Sequence, residues 1–480
     1  MVFSSVIFLF LFLPFVLLGY YLLSRKNIQI KNTYLLLASS IFYYFGEQNS
    51  IFIMMFVIAL NFYIAPYLYP DYSNDKKTFL QKYRLGLLSA CVVICIGLLW
   101  YFKYLNFSIE LLNALFHKQL FEFKDIVLPL GISFYTFHAL SYTFDVYYGR
   151  MLPEKSLLRF MTYVMMFPQL VAGPIVRYID IKKQFYHRCV TQAGLYNGIR
   201  RFCYGLSKKV LLANTVSIYA DKIFSAPIEQ LGLLDLWLGA IAYALQIYFD
   251  FSGYSDMAIG LAMMFGFRYK ENFNYPYIAK SASEFWRRWH ISLSTWLRDY
   301  VYIPLGGNKL GTYKKIKNVL IVFILSGLWH GANSTFVCWG ALYGIFIALE
   351  TLGLRNLLKK SNTLSHIYLI LIALTGWVIF RSDTMNYACE YLIKMYSLTA
   401  IDVNTIPMEN NIVFAMVIGL IFCYDWRPHY KRIVIRASNL SHRVFYIEKL
   451  SGFIISVLLF VISAMSIVSS SHNPFIYFRF

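Results

Sequence analysis

The chain of 480 residues has no long polar stretch. No segment of low hydrophobicity is long enough to hold a separate soluble domain, so a single integral domain over residues 1–480 is expected. Acidic residues are scarce, with 24 Asp and Glu against 44 Lys and Arg, a net charge of +20. Such an excess could serve nucleic-acid binding, but the basic residues lie between apolar runs and no separate basic domain holds them, so no nucleic-acid partner is expected. The seven cysteines are scattered and show no metal-ligand spacing, and no metal site is expected. Cys91 and Cys95, one helical turn apart, read as small buried hydrophobes. Met1 to Leu23 lacks a basic n-region and a small-residue cleavage site, so it reads as a retained helix and not as a removed signal peptide. There is no internal repeat, nor the inverted pair of broken helices that marks many secondary transporters.

What the chain does have is apolar sequence: 59% of it is hydrophobic and 14% charged. The runs are long enough to cross a hydrocarbon core of roughly 30 Å, which makes it an all-α polytopic membrane protein. Val2 to Leu23 precedes Arg25, Lys26 and Lys31, placing the N-terminus outside by the positive-inside rule. Thr33 to Gly46 and Ile51 to Tyr69 form a hairpin around Glu47-Gln48-Asn49, followed by Leu85 to Phe102 and Ile126 to Tyr148. Phe160 to Val176 is broken by Pro168, Gly173 and Pro174 and reads as a re-entrant or broken helix. Further runs cover Val210 to Phe224, Leu234 to Phe267, Phe336 to Leu352, Ile367 to Phe380, Ile412 to Tyr424 and Gly452 to Val468. By alternation across roughly ten crossings the C-terminus also emerges outside.

Three stretches carry chemistry. The basic run Lys182, Lys183, Arg188, Arg200, Arg201, Lys208 and Lys209 is either a positive-inside loop or a site for a phosphate-bearing donor. YFDFSGYSDMAIG puts Asp250, Ser252, Gly253 and Asp256 inside an apolar run, as a helix break with satisfied hydrogen bonds or as the lining of a polar path. Glu284 to Gly344 holds His290 and His330, forty residues apart. If Phe285 to Arg298 is one helix, Trp286, Trp289, Leu293 and Trp296 share a face at an interface, His290 flanks it beside Ser294, and Arg287, Arg288 and Arg298 turn elsewhere. His290 then reads either as an interfacial histidine bonded to backbone or as part of a site. If a helix starts near Asn318, twelve residues at about 1.5 Å each carry His330 roughly 18 Å inward, near the bilayer midplane. Trp329, Gly331, Ala332 and Asn333 surround it, with small residues for close approach and an amide able to fix the imidazole tautomer. A structural histidine and a general base both fit that environment.

FWRRWHISLSTWLRDYVYIPLGGN and LSGLWHGANSTFVCWGALYG resemble the signature of the membrane-bound O-acyltransferase family, in particular its bacterial polysaccharide branch. PLGISFYTFHALSYTFDVYYGR, FPQLVAGPIVRY and YFDFSGYSDMAIG are similar to further blocks of that branch, so the resemblance covers essentially the whole chain. It implies a ring of helices around a thin central tunnel, with a cytoplasmic funnel for an acyl-CoA and an opposite funnel for the acceptor. It implies His330 as the catalytic histidine and His290 as the second one on the tunnel wall. Trp286, Trp289, Ser294, Trp329, Asn333, Asp250 and Ser252 are the expected tunnel residues, and Arg287, Arg288, Lys208 and Lys209 the expected CoA contacts.

The expected reaction is acetyl transfer from acetyl-CoA, a substrate and not a resident cofactor, across the bacterial inner membrane to a cell-wall polysaccharide. A neutral imidazole removes the acceptor proton, and moving acetyl alone avoids transporting charged CoA. The expected partner is a periplasmic serine esterase-like transferase of the SGNH type, with membrane lipid around the chain. The aromatic end PFIYFRF, with Tyr477 at its centre, reads as an interface anchor or as a relay in which Tyr477 accepts or guides the acetyl group. Peptidoglycan is the expected acceptor because Ile, Lys, Asn, Phe and Tyr richness hints at an AT-rich genome; alginate or another exopolysaccharide is the alternative. A proton-coupled transporter or flippase using His290, His330, Asp250 and Asp256, and a scaffold subunit, are the readings from other classes.

Overall fold

A computed structural model describes residues 2–23, 26–70, 82–309, 311–397, 406–430, 432, 442–469 and 473–474. Among these the regular structure is helical, and the chain forms two compact units, Met1–Gly198 with Leu261–Lys270, and Ile199–Gly260 with Glu271–Phe480.

The first unit contains α1 (Leu13–Leu22), α2 (Ile28–Glu47), α3 (Ile51–Leu68), α4 (Arg84–Lys103), α5 (Leu105–Phe116), α6 (Ile132–Tyr147), α7 (Leu157–Met165), α8 (Phe167–Leu170) and α9 (Tyr178–Tyr186). Asn27 opens α2 by accepting from the Gln29 amide at 3.0 Å, and Gln48, at φ +39°, ends it in the expected hairpin turn. The expected break in Phe160 to Val176 is present between α7 and α8, and side chains take up the freed backbone groups. Ser39 Oγ accepts from the Phe167 amide at 3.1 Å, His138 Nε2 accepts from the Val176 amide at 3.2 Å, and the Tyr163 hydroxyl donates to the Val176 carbonyl at 2.8 Å. Irregular backbone survives away from water only when protein satisfies it in this way.

The second unit contains most of α10 (Gln192–Ser207) and of α12 (Leu233–Met264), with α11 (Asn214–Ser225), α13 (Ala282–Arg288), α14 (Ile291–Leu297), α15 (Gly311–His330), α16 (Ser334–Leu349), α17 (Asn362–Arg381), α18 (Met385–Tyr396), α19 (Asn410–Phe422) and α20 (His442–Ser469). The polar block around Asp250 does not break α12, which stays helical for 32 residues. Its glycine serves packing instead. A Cβ on Gly205 would stand 2.5 Å from the Gly253 carbonyl oxygen, and one on Gly253 would stand 2.7 Å from the Gly205 carbonyl oxygen. Two backbones therefore touch where both side chains are absent, as small residues permit in membrane bundles.

Among the described residues six stretches are long and apolar enough to cross a membrane, including Ile28–Leu68, which holds α2 and α3, and Leu233–Met264. Shorter apolar helices add Phe8–Leu22, Leu105–Phe116 and Asn410–Phe422. α15 is not among the six; Lys314, Lys315 and Lys317 occupy its first two turns. The chain is a multi-pass membrane protein.

The Gly205–Gly253 crossing is testable. Gly205→Val inserts a side chain where backbone already sits, so overpacking of about 1–3 kcal/mol is expected. Thermal unfolding in detergent should show a lowered midpoint relative to wild type, whereas an unchanged midpoint would mean that the helices do not meet there.

Candidate active site

The approach to the two histidines begins at α13. Ser281 caps this helix by accepting from the Glu284 amide at 3.1 Å, and Glu284 accepts in turn from the Lys280 amide at 3.0 Å. Buried Glu350 accepts from the Ala282 amide at 2.6 Å, the Ser283 amide at 3.1 Å and the Ser283 hydroxyl at 2.5 Å. A carboxylate at the first amides of a helix is favoured by the helix dipole as well as by hydrogen bonding, so Glu350 anchors the element that carries Trp286 and Arg287.

The single helix expected over Phe285 to Arg298 is two helices, because the 272–274 segment competes for its backbone. The Asn272 carbonyl accepts from the Ile291 amide at 2.9 Å, and the Asn274 amide donates to the Arg288 carbonyl at 2.9 Å. With those groups engaged sideways the helical ladder stops, and His290 turns the chain at φ +43°. Trp286, Trp289, Leu293 and Trp296 are nonetheless all buried. They pack into the protein from two short helices and do not form one interfacial face.

The same clamp sets the imidazole. Asn272 Oδ1 accepts from the Ser292 amide at 3.1 Å and lies 3.3 Å from His290 Nδ1. Only an oxygen can face a backbone N–H, so the amide orientation is determined, and the tautomer with the proton on Nδ1 is the one that donates to this oxygen. The Ser292 hydroxyl, 2.9 Å from the same oxygen, donates to it as well. His290 Nε2 is thus left as a bare lone pair, with no hydrogen-bond partner among the described residues. His290 lies outside the six candidate spans and is fully buried, and burial pushes its pKa down to about 3, so the ring is neutral at ordinary pH.

His330 ends α15 and is 4% exposed. Glycines close the α15–α16 hairpin around it. A Cβ on Gly327 would stand 2.2 Å from the Phe336 carbonyl oxygen, and one on Gly331 would stand 2.2 Å from the Phe336 ring. These small residues bring helix and ring together and do not leave an open channel. The His330 ring is caged by Trp329, Trp339 and Phe380, with centroids at 4.9, 5.1 and 5.2 Å. Trp329 also lies 5.7 Å from His290, whose other face meets Phe251 at 4.6 Å. One indole therefore joins the two imidazoles.

A cavity of about 460 Å³ approaches this cage, lined by Trp286, Arg287, Ser294, Arg298, Ser326 and largely apolar neighbours. Ser326 stands one helical turn before His330. Trp286 packs on Trp339 at 5.3 Å, so a layer of indole separates the cavity from the His330 ring. Among the described residues the indole nitrogens of Trp286 and Trp339 have no hydrogen-bond partner, which makes this layer a polar-capable wall.

Of the expected tunnel residues, Trp286 and Ser294 line the cavity and Trp329 lies between the histidines. Ser294 is not the partner of His290; that role falls to Asn272 and Ser292. Trp289 packs against Trp377 at 4.8 Å in the core. Asn333 does not hold the imidazole tautomer, because its side chain caps α16, accepting from the Thr335 amide at 3.1 Å and donating to the Asp383 carbonyl at 2.9 Å. Ser252 is buried on α12, and Asp250 is ion-paired with Lys209 at 2.8 Å.

Of the expected CoA contacts only Arg287 lines the cavity. Arg288 pairs with Glu284 at 2.9 Å, Lys208 with Asp256 at 2.6 Å, and Lys209 is buried on Asp250. Only Lys209 is enclosed with its acid; the Arg288 and Lys208 side chains are 26% and 32% exposed. Arg201 likewise pairs with Asp256 at 2.8 Å. Tyr477 lies outside the described residues. Asn272, Glu350, Trp339, Phe251 and Phe380 were not singled out from the sequence. Glu350, an acid closing an apolar run, carried a signal that intramembrane charges often give.

The tautomer can be measured directly. Nitrogen-15 histidine spectra should show His290 protonated at Nδ1 in the wild type and a tautomer mixture in Asn272→Leu; a wild-type ring protonated at Nε2 would refute the clamp.

The profile of the membrane-bound O-acyltransferase family matches residues 96–380, a span that includes α12 to α17 and both histidines. The chain is 39% identical over 496 residues to a probable alginate O-acetylase of Pseudomonas putida, covering 100% of each. It is 31% identical over 529 residues to a peptidoglycan O-acetyltransferase of Helicobacter pylori, covering 100% of this chain and 98% of the relative. A teichoic acid D-alanyltransferase of Bacillus subtilis is 30% identical over 230 residues, 45% of this chain and 58% of the relative. With two buried imidazoles inside the matched span, this chain belongs to the membrane-bound O-acyltransferase family and is an integral-membrane acyltransferase.

Proposed function

We propose that this enzyme takes an acetyl group from cytoplasmic acetyl-CoA and passes it across a bacterial inner membrane for O-acetylation of an extracytoplasmic polysaccharide. One arrangement carries the reading: two buried imidazoles bridged by Trp329, one helical turn from an apolar cavity that has Arg287 and Arg298 among its lining residues. Guanidinium groups suit the phosphates of CoA, and the apolar wall suits its pantetheine arm. His330 acts as general base. The acceptor hydroxyl oxygen attacks the thioester carbonyl carbon, the C–S bond breaks, and the imidazole takes the hydroxyl proton and returns it to the departing thiolate. Such catalysis contributes typically ~10²–10⁴-fold. The bare Nε2 of His290 is a second acceptor for that proton's hydrogen bond.

Trp339 and Phe380 against His330, with Trp286 packed on Trp339, leave little space, which supports a short acyl group. Both termini are extracytoplasmic in this reading, Tyr477 guides the acetyl group, and a periplasmic serine esterase-like transferase completes the transfer. Identities of 39% and 44% to two alginate acetylases, against 31% to a peptidoglycan acetyltransferase, favour an exopolysaccharide acceptor of the alginate kind, with peptidoglycan as the second reading. The transport alternative loses its carboxylates, since Asp250 and Asp256 are each held by basic side chains.

Two outcomes test this. Purified protein in detergent should release CoA from acetyl-CoA, and His330→Ala should reduce that release by ~10²–10⁴-fold with protein yield unchanged; release that survives the substitution removes His330 from the chemistry. Trp286→Ala should raise activity with propionyl- or butyryl-CoA relative to acetyl-CoA, and an unaltered chain-length preference would show that this indole does not bound the acyl group.

A further inference from the structure

Lys209 lies on the π-helical turn Lys208–Ala213, its side chain 2% exposed and 2.8 Å from Asp250. The Lys209 ammonium also donates to Asn214 Oδ1 at 2.8 Å and to the carbonyl of Pro474, 265 residues further along the chain. Next to that contact, Asn214 Nδ2 donates to Asn473 Oδ1 at 3.2 Å. An ammonium carries three donors and no acceptor, and away from water each donor needs an oxygen. Asp250 and Asn214 supply two of these from within the helices. The chain's own end supplies another.

We propose that Lys209, Asp250 and Asn214 form a receptor for the C-terminal segment, which seats the Pro474 carbonyl on the buried ammonium and Asn473 on Asn214. Proline suits such a seat because it offers a carbonyl and has no N–H that would need a partner of its own. The receptor exists because Gly205 and Gly253 let the two helices touch, which sets the following π-turn against α12 at Asp250. Phe251, the next residue on α12, packs on His290 at 4.6 Å, so the seat of the chain's end and the wall of the His290 pocket are neighbouring residues of one helix. Asn473 and Pro474 are therefore held beside the helix that carries part of the His290 pocket, whichever acyl group is moved.

The test uses the full chain in detergent with Phe475→p-benzoylphenylalanine, an aromatic exchange at the position after Pro474. Irradiation should crosslink position 475 to peptides containing Lys209 to Asn214 or Asp250. The double substitution Lys209→Met with Asp250→Leu replaces the ion pair by apolar volume, a change that folded proteins commonly tolerate. It should abolish this crosslink. Truncation after His472 supplies a second measurement. It should lower the thermal midpoint of the wild type and leave that of the double variant unmoved, since the ammonium that needed the carbonyl is gone. If the double variant does not fold, Asn214→Leu serves in both measurements and should weaken the crosslink and shrink the truncation effect. Crosslinks unaffected by these substitutions, or the same loss on truncation in every background, would overturn the proposal.

Discussion

An amide oxygen aimed at a ring nitrogen holds the two-histidine region together. Asn272 takes the Ser292 amide and the Ile291 amide out of the helical ladder, forces the turn at His290, and commits the proton of that ring to Nδ1. In water such a residue would be one turn former among many. At a fully buried ring inside an apolar, aromatic protein it favours one nitrogen as the base. The turn in turn sets Trp286 on one short helix and Ser294 on the next, and both residues line the same cavity.

The scarce acids are spent with care. Asp250 and Asp256 hold Lys209, Lys208 and Arg201, and Glu350 holds the first amides of α13. Each of these carboxylates answers charge or backbone on an element that approaches the histidines, Asp250 and Glu350 from buried positions. What remains on the cavity side is the exposed pair Arg287 and Arg298, the second of them shared with Asp299 at 2.7 Å. A net basic protein therefore has far fewer available cations near its site than its composition suggests, and those it has stand at the cavity.

Much of this could be read in one dimension. Apolar length marked the membrane helices, the Glu47-Gln48-Asn49 turn marked the first hairpin, and Pro168 with Pro174 marked the broken segment, since each of these is local chemistry. His290 and His330 stood out because ionisable rings are rare in such surroundings, and Trp286 and Arg287 because they share their helical turn. Less legible was the end of that helix at His290, since FWRRWHISLSTWLR is a good helical sequence and only the remote 272–274 segment interrupts it. The same limit applied to the block around Gly253, read as a helix break or the lining of a polar path although Gly253 is a contact surface, and to Lys208 and Lys209, whose acids lie more than forty residues away.

The sequence by itself determined that the chain lives in a membrane, that it is helical, and that two imidazoles lie in the stretch that holds five of its nine tryptophans. Hydrophobicity, helical period and residue rarity act over a few neighbours, so they are written along the chain. Only the tertiary structure decided which nitrogen of His290 is bare, which arginines face the cavity, and where the Pro474 carbonyl is received. Those outcomes are set by contacts between residues far apart in sequence, and in a medium without water such contacts choose the partner of every buried polar group.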